Sequence, residues 1–488
     1  MRASSRAHTT EQGRIHQSAR DLPRDRLSRK LRRTVPTERE ISTSYRLMTQ
    51  SHWKNTVLAG LANYIDGGSI VAGSVALALW AEAYHLSPRF LGLLGAFSAN
   101  AIAAGVGALV GGSLCDRFGR KKIYQYDMLF YAFGMSWLVF AFQPWMIGVG
   151  FVLVGLAVGA DIPASWSLIA EMAPQGQRGK HSGVAQLLWM LGPLVVLLLS
   201  FVLTPLGILG ARLVFAHLLV FALLLTLLRS RMQESQIWVE AKSAEEHAAR
   251  TGTLGQAIAL SVLFQPQHVK AMAFLIGMYG IWNLSAGTLG FFFPYILRTV
   301  GGQSQAGAVA IQAALSCAGL LSIYFTFMRL SDRFNQRLLF GIAGFLQVAG
   351  MMILAIFPLT VPTVLVFMLF SSVMIGCGQQ SFFQLWSAEL FPTLVRSTAQ
   401  GLMFAVVRIG LGIWSFFVPV LAATGFHGLA WILTGFVTVS AVIGVIWAPR
   451  NEGKSLEQIE AERNAGSKPT PTHPQQPQTA SLPNQKIP

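Results

Sequence analysis

The sequence predicts an all-α polytopic membrane protein in which twelve transmembrane helices form two homologous six-helix bundles around a central cavity. Hydrophobic residues make up 53% of the 488 positions and charged residues only 12%, against about 25% charged in soluble domains. Twelve apolar stretches are long enough to cross a bilayer, and two loop motifs of the first half of the chain recur in the second half. Most of the chain is therefore expected to face lipid or protein instead of water.

The apolar stretches fall into two sets of six, numbered here as spans 1 to 12. A hydrocarbon core about 30 Å thick needs about 20 helical residues. Spans 1 to 6 are predicted at 56–82, 90–114, 124–142, 146–170, 182–204 and 208–228, and spans 7 to 12 at 270–297, 305–328, 337–357, 361–388, 399–422 and 427–448. This gives an N-terminal bundle (55–228), a central loop (229–269) and a C-terminal bundle (270–448), with tails at 1–54 and 449–488.

The net charge of +16 is concentrated in a tail and in loops, which argues against nucleic acid as a partner. Residues 1–54 carry 13 Lys/Arg against 5 Asp/Glu, in a polar sequence typical of a disordered tail that anionic lipid headgroups attract. With the N-terminus inside, the loops hold fifteen Lys/Arg inside and three outside. The positive-inside rule predicts a multi-pass protein of the plasma (inner) membrane with both termini cytoplasmic, and no cleaved signal peptide is expected.

Two loop motifs repeat at a nearly constant offset. GSLCDRFGRK (112–121) follows span 2, and MRLSDRFNQR (328–337) follows span 8, so that Asp116 recurs as Asp332 after 216 residues. EMAPQGQR (171–178) follows span 4, and ELFPTLVR (389–396) follows span 10, at an offset of 218 residues. Two motifs that repeat at nearly one spacing indicate an internal duplication of a six-helix unit.

These motifs resemble the major facilitator superfamily, and in particular its sugar-porter and metabolite-porter branch. Residues 112–121 match G-x-L-x-D-R-x-G-R-[RK]; QESQIW (233–238) resembles P-E-S-P-R-W, and PRNEGKSLEQI (449–459) resembles P-E-T-x-G-x-S-L-E-x-I. The resemblance covers about residues 55–460 and implies the major facilitator fold and transport by alternating access. One position departs from it: Phe151 stands where the branch usually has an arginine, so the role of that arginine is not implied here.

The repeated loops supply a candidate cytoplasmic gate. Acids and bases in one loop can join helix ends in one conformation and release them in another, and exposed pairs contribute only about 0–1 kcal/mol each. Loop charges that merely set topology would leave the two acids Asp116 and Asp332 unexplained. Gly119 permits a tight turn, and the resemblance implies that the acids and arginines after spans 4 and 10 belong to the same gate. The candidate gate residues are Gly112, Asp116, Arg117, Gly119, Arg120, Glu171, Arg178, Asp332, Arg333, Glu389 and Arg396.

Few ionisable residues lie inside the predicted spans, and Asp66, Asp161 and Arg408 are the candidates for proton coupling. A charge at the bilayer centre costs about 2.5–3.5 kcal/mol. Arg408 is the only basic residue assigned to a span, so one of the two acids is expected to carry a proton during part of the cycle. Asp66 lies in YIDGG, which resembles the F-x-D-G-Y of metabolite porters, and is the expected proton site. A fixed Asp66–Arg408 ion pair, and an Asp161 that hydrogen-bonds a locally broken helix, are the alternatives.

The resemblance implies that spans 1, 4, 7 and 10 line the cavity, with spans 5 and 11 close by. Amides offer donors and acceptors, and indoles offer flat apolar faces, which together suit a hydroxylated or mildly aromatic metabolite. In span 10, Gln380 and Gln384 share a helix face. Each residue alone is equally compatible with a helix–helix contact. The candidate cavity residues are Asn63, Trp166, Gln186, Trp189, Trp282, Asn283, Gln379, Gln380, Gln384 and Trp386.

These features predict a proton-coupled symporter of a sugar, polyol or related metabolite, acting as a monomer in the lipid bilayer, with no cofactor except the coupling proton and no metal. An organic or aromatic acid:proton symporter in which Arg408 binds the carboxylate, a drug exporter, and a non-transporting receptor or sensor remain open. An enzyme is not expected: the chain has no G-x-S-x-G or H-E-x-x-H motif, and Gly453 to Ser455 lack the rest of a phosphate-binding loop.

Overall fold

The computed structural model describes residues 38–451 apart from 87, 99–100, 175, 231, 233, 252–259, 419–420 and 422–424, together with 454, 456, 458 and 459. Residues 1–37 and most of the C-terminal tail fall outside these residues, as do 452, 453, 455 and 457 of the motif at 449–459. Throughout the described part of the chain the regular secondary structure is helical, without strands. This confirms the predicted all-α class.

Each span of the N-terminal bundle corresponds to one helix, or to two in span 2. They are Glu38–Ala83, Pro88–Ala96 with Ile102–Phe118, Arg120–Val139, Pro144–Met172, Arg178–Leu203 and Ile208–Arg229. Two differences concern segments that were assigned to a tail or a loop. Residues 38–54, assigned to a disordered tail, are helical, and span 6 extends to Arg229, which was assigned to the central loop. That loop contains a further helix, Gln236–Thr251.

The spans of the C-terminal bundle are interrupted more often. Span 7 comprises Pro266–Leu275, a π-helical turn Ile276–Gly280 and Ile281–Thr299; span 8 comprises Gln305–Ser322, a π-helical turn Ile323–Phe327 and Met328–Leu330. Span 10 comprises Val361–Val373, the 3-10 turn Ile375–Cys377 and Gln379–Glu389, with a bend of 51° between its halves. Spans 9, 11 and 12 are Gln336–Ile356, Arg396–Ser415 and Phe426–Trp447.

One hydroxyl group satisfies the backbone where span 10 is broken. The Ser322 Oγ donates to the Val373 carbonyl oxygen at 2.9 Å and accepts from the Gly376 amide at 3.1 Å. Gly376 lies so close to the π-helical turn of span 8 that a Cβ there would come within 3.0 Å of the Ile323 backbone. A polar side chain of span 8 therefore replaces backbone hydrogen bonds that the bend in span 10 removes.

The apolar character of the helices agrees with a membrane protein. Eight helices in the described residues are long and apolar enough to cross a bilayer, and the bent pair in span 10 makes a ninth. Spans 1 to 3 are not in this count. Span 2 is divided into two shorter helices, and span 3 begins with three basic residues, 120–122.

Small residues bring neighbouring spans into close contact. Gly107 of span 2 and Gly159 of span 4 lie against the backbones of Leu156 and Ala104, and a Cβ at either glycine would come within 3.0 Å of a carbonyl oxygen. Small residues at such positions allow two helix backbones to approach closely. A small residue also allows close contact between the two bundles: Gly112 of span 2 lies directly against the backbone of span 11.

The two bundles meet through two related pairs of spans, 2 with 11 and 5 with 8. These are the pairs that an internal two-fold relation between the halves requires, because spans 8 and 11 are the duplicates of spans 2 and 5. The repeated loops at 112–121, 171–178, 328–337 and 389–396 all lie at one end of the bundles. We call this the basic end.

Candidate functional site

A central cavity of about 250 Å³ lies between the two bundles. Spans 1, 5, 7, 8, 9, 10, 11 and 12 contribute to its wall, whereas no residue of span 4 lines it. The polar and indole groups come mainly from the C-terminal bundle. They belong to Trp189, Trp282, Asn283, Ser285, Gln312, Ser316, Gln347, Ser371, Gln380 and Arg408.

Four of the ten predicted cavity residues line this cavity: Trp189, Trp282, Asn283 and Gln380. The other six were predicted wrongly for this conformation, because they are buried in contacts between helices. They are Asn63, Trp166, Gln186, Gln379, Gln384 and Trp386. The Trp166 Nε1 donates to Asn63 at 3.3 Å, and the Trp386 Nε1 donates to Gln336 at 2.6 Å. Gln186 donates to Gln384 across the two bundles.

Two cavity glutamines were missed because spans 8 and 9 were not expected to line the cavity. The Gln347 Oε1 accepts from the Trp282 Nε1 at 3.0 Å, and the Gln312 Nε2 donates to the Gly290 carbonyl oxygen at 3.2 Å. Among the described residues, no group bonds to the buried Gln347 Nε2, Gln312 Oε1 or Asn283 Oδ1. Such orphan polar atoms beside a cavity are suited to a ligand. A glutamine in the middle of an apolar span could have indicated that spans 8 and 9 contribute polar groups to the cavity.

The basic end is closed by buried polar contacts between the bundles. Asp116, at the end of span 2, accepts from the backbone amides of residues 397 and 398 of span 11 at 3.3 and 2.6 Å. Its duplicate, Asp332, accepts from the amides of residues 179 and 180 of span 5 at 2.8 and 3.0 Å. Each carboxylate therefore caps a helix N-terminus of the opposite bundle, where amides lack partners within the helix. Burial raises the pKa of Asp332 above its ordinary value, although these amides oppose the shift.

The acids and arginines after spans 4 and 10 also pair across the bundles. The Glu171 Oε1 accepts from Arg396 at 2.7 Å and from Arg120 at 3.1 Å, and Glu389 pairs with Arg178 at 3.2 Å. These side chains are at most 7% exposed. The prediction of weak exposed pairs was therefore wrong: removing one partner of a buried pair costs about 3–5 kcal/mol.

The remaining gate candidates divide into two groups. Gly112 and Gly119 have structural roles, the first at the contact with span 11 and the second as a turn with φ +99°. Arg117 and Arg333 are exposed, and no ion pair within the described chain includes either of them. Their predicted role in the gate is not seen in this conformation.

Two residues of the motif after span 6 were missed as part of this end. Glu234 accepts from the amides of Arg120 and Lys121 at 3.1 and 3.0 Å and so caps span 3. The Trp238 Nε1 donates to the Asp116 carbonyl oxygen at 3.2 Å. The QESQIW motif was the signal, although its Gln233 lies outside the described residues.

The predicted charge balance inside the spans was wrong, because a second arginine is buried there. Arg229, the last residue of span 6, donates to the Asp161 Oδ1 at 3.2 Å and to the Tyr124 carbonyl oxygen at 3.0 Å. Its guanidinium also lies 3.4 Å from the centre of the Tyr124 ring. Asp161 is thus ion-paired, and its helix, Pro144–Met172, continues unbroken through Pro163.

Asp66 and Arg408 do not form the ion pair considered as an alternative. Asp66 is fully buried, and neither of its carboxylate oxygens has a hydrogen-bond partner in the described part of the chain. Arg408 lines the central cavity, and its guanidinium lies 4.5 Å from the centre of the Phe404 ring. Asp66 does not line this cavity, but its chain neighbour Gly67 does.

Comparison with known proteins agrees with this architecture. The profile of the Major Facilitator Superfamily matches residues 56–385 and 283–483. The "Minor myo-inositol transporter IolF" of Bacillus subtilis (strain 168) is 46% identical over 410 residues, 84% of this chain and 93% of that protein. The "Arabinose-proton symporter" of the same organism is 25% identical over 480 residues, 88% of this chain and 99% of that protein.

Solved structures share the fold. The proton:xylose symporter XylE bound to 6-bromo-6-deoxy-D-glucose superposes with a TM-score of 0.72 at 19% identity, over 85% of this chain and 99% of that chain.

Proposed function

The chain belongs to the Major Facilitator Superfamily, and we propose that it transports a sugar or cyclic polyol by proton-coupled symport. It is a multi-pass membrane transporter and not an enzyme. One observation carries the proposed substrate class. The central cavity presents Asn283, Gln312 and Gln347, each with a buried polar atom that no described protein group satisfies.

The chemistry of the wall matches a polyhydroxylated ring. Hydroxyl groups both donate and accept, as do the amide side chains that face them, while the indoles of Trp189 and Trp282 offer flat faces for ring carbons. A volume of about 250 Å³ lies below the range of about 300–1,000 Å³ typical of drug-sized pockets. A compact, uncharged ring fits such a site, in keeping with the named substrate of the 46% identical relative.

The contacts between the bundles support alternating access. The basic end, which the positive-inside rule assigns to the cytoplasm, is sealed by the buried ion pairs and helix caps. At the opposite end, the Ser74 Oγ of span 1 donates to the Phe291 carbonyl oxygen of span 7 at 3.0 Å. We take this as a conformation closed to the cytoplasm, of a monomer with both termini cytoplasmic. Opening requires the pairs of Glu171 and Glu389 to break and become hydrated.

Proton coupling rests on Asp66. A carboxylate buried without a partner is costly when ionised and much less so when protonated, and Asp66 is followed in the chain by Gly67 of the cavity wall. Protonation and substrate binding would then favour the same conformation, which is the requirement for symport.

A second candidate follows from Arg408. Its guanidinium is the one charged group in the described wall of the cavity, and such a group binds carboxylates well. In this alternative the substrate is an organic acid and Arg408 holds its carboxylate.

Purified protein in liposomes tests both candidates. Uptake of myo-inositol, glucose and glucuronate is measured with and without an inward proton gradient and a protonophore. Gradient-driven accumulation of the neutral compounds supports the first proposal, and accumulation of glucuronate alone, lost in Arg408→Lys, supports the second. Uptake that equilibrates but ignores the gradient would identify a uniporter.

A further inference from the structure

A group of four ionisable residues lies buried inside the N-terminal bundle, and we call it the acid cluster. Asp66, Asp127, Asp161 and Arg229 come from spans 1, 3, 4 and 6, and each is at most 7% exposed. Asp66 interacts electrostatically with the other three and with Arg408. The cluster therefore sets three carboxyl groups against one guanidinium within its own bundle.

The hydrogen bonds leave this charge uncompensated. Arg229 commits its Nη1 to Asp161, while its Nε and Nη2, the Asp161 Oδ2 and the Asp127 Oδ2 have no partner among the described residues. Asp66 has none on either oxygen. Three carboxylates with one paired arginine would bury two net negative charges, and an unpaired buried ion costs several kcal/mol. Each bound proton lowers that cost.

The positions of these residues order them along the bundle. Asp127 is seven residues, about 10 Å, from the start of span 3 at Arg120, and Arg229 ends span 6. Both span ends lie at the basic end. None of the four residues lines the central cavity, but Gly67, the chain neighbour of Asp66, does.

The positive charge of the acid cluster comes from Arg229 of span 6, and not from the position in span 4 where the similar branch has an arginine. Phe151 occupies the position where the similar branch has an arginine, and its ring packs edge-on against Trp80 with the ring centres 5.9 Å apart. No cation is therefore supplied from that part of span 4. Arg229 supplies one from the opposite end of the bundle, next to Asp161.

We propose that Asp127, Asp161 and Arg229 form a second proton-binding site, which receives the proton from Asp66 and passes it toward the basic end. This rests on the proposed proton coupling and adds its route. The Asp66 O–H bond breaks, water carries the proton, and a new O–H bond forms on the carboxylate of Asp161 or Asp127. Protonated Asp161 releases Arg229, whose charge then balances ionised Asp66, so the total charge of the cluster is unchanged.

The test is Asp127→Asn, a nearly isosteric change that removes one titratable group without touching the Asp161–Arg229 pair. Accumulation driven by a proton gradient should fall at least about tenfold, as expected when a positioned proton acceptor is lost, while substrate counterflow without a gradient persists. Glu246→Gln, at an exposed acid of the helix Gln236–Thr251, is the matched control and should behave as wild type. Wild-type accumulation by Asp127→Asn overturns the proposal.

Two further measurements keep the test decisive. Infrared difference spectroscopy on titration should show a protonated-carboxyl band in wild type that Asp127→Asn diminishes, and an unchanged band counts against the site. If Asp127→Asn does not fold, the double variant Asp161→Asn/Arg229→Gln removes the pair as a neutral unit. Counterflow without accumulation in that variant supports the proposal, and full accumulation overturns it. If wild type itself ignores the gradient, it is the proposed symport that fails.

Discussion

Glu171→Gln is the sharpest test of the closed basic end. Glu171 accepts from two buried arginines, Arg396 of the opposite bundle and Arg120 of its own. The variant keeps the shape and hydrogen-bonding capacity of the side chain and removes its charge. In the variant, the buried guanidinium of Arg396 faces a neutral amide in place of the Glu171 carboxylate. This costs free energy only in the closed conformation, because opening the basic end exposes the guanidinium to water.

The size of the effect follows from the burial of the pair. Breaking a buried ion pair on one side costs about 3–5 kcal/mol, and each 1.4 kcal/mol changes an equilibrium constant about tenfold. Arg120 retains Asp116 at 3.1 Å, so we expect the low end of this range, a shift of about 100-fold toward the open basic end. Glu389 pairs with Arg178 at 3.2 Å and also accepts from Asn451 at 3.0 Å, a contact that a glutamine keeps, so Glu389→Gln should shift the equilibrium less, by about tenfold.

Spin labels at positions 117 and 333 report this equilibrium directly. Both arginines are exposed and lie on opposite bundles at the basic end, and the three native cysteines are first replaced by alanine. Double electron–electron resonance should show a longer distance population that grows from wild type to Glu389→Gln to Glu171→Gln. Identical distance distributions in all three proteins would refute the assignment of these pairs to the gate.

Three further predictions concern individual positions. Gly112→Val should prevent closure of the basic end and slow counterflow severely, because even a Cβ there clashes with the Ser397 backbone; normal turnover would contradict the close contact. Burial raises the pKa of Asp332 in the closed conformation, and falling pH favours the conformation in which a group has the higher pKa. Acidification should therefore increase the closed population in the spin-label assay, and Asp332→Asn should remove that response. Gln347→Leu should weaken binding of a neutral polyol by about tenfold, the value of one or two hydrogen bonds, whereas Gln336→Leu, a buried glutamine of the same span that does not line the cavity, should not; equal affinities in isothermal titration would argue against Gln347 as a ligand.

Spans and repeated motifs were predictable because their signals are local. Hydropathy depends on residues within about one membrane thickness, and most span boundaries agree with the structure to within a few residues. Asp116 and Asp332 were assigned to one gate because the same residues recur in the two loops at a constant separation along the chain. The strength of the gate ion pairs could not be predicted in the same way. It depends on the burial of the Glu171 pair, which results from the packing of span 11 and is not encoded in any local sequence pattern.

The misassigned residues share a different cause. Arg229 lies one residue beyond the predicted end of span 6, and its long side chain extends back into the bundle to reach Asp161. Gln312 and Gln347 face the cavity because of how spans 8 and 9 are rotated about their axes, which spacing within one helix does not determine. Gln384 was assigned to the cavity on sound chemical grounds, but in this conformation it bonds across the bundles to Gln186.

The hydroxyl of Ser322 gives the molecule an asymmetry that its duplicated sequence conceals. The helix interruptions beside the cavity, at 276–280, 323–327 and 374–378, all belong to the C-terminal bundle, and Ser322 joins two of them into one joint. Span 4 of the other bundle stays continuous despite Pro163. The half that holds most of the polar cavity groups therefore has interrupted helices around the cavity, whereas span 4, which holds the buried Asp161, is continuous. In the proposed mechanism, substrate and proton bind to halves that differ in helix continuity, and the contacts between spans 2 and 11 and between spans 5 and 8 couple the two sites.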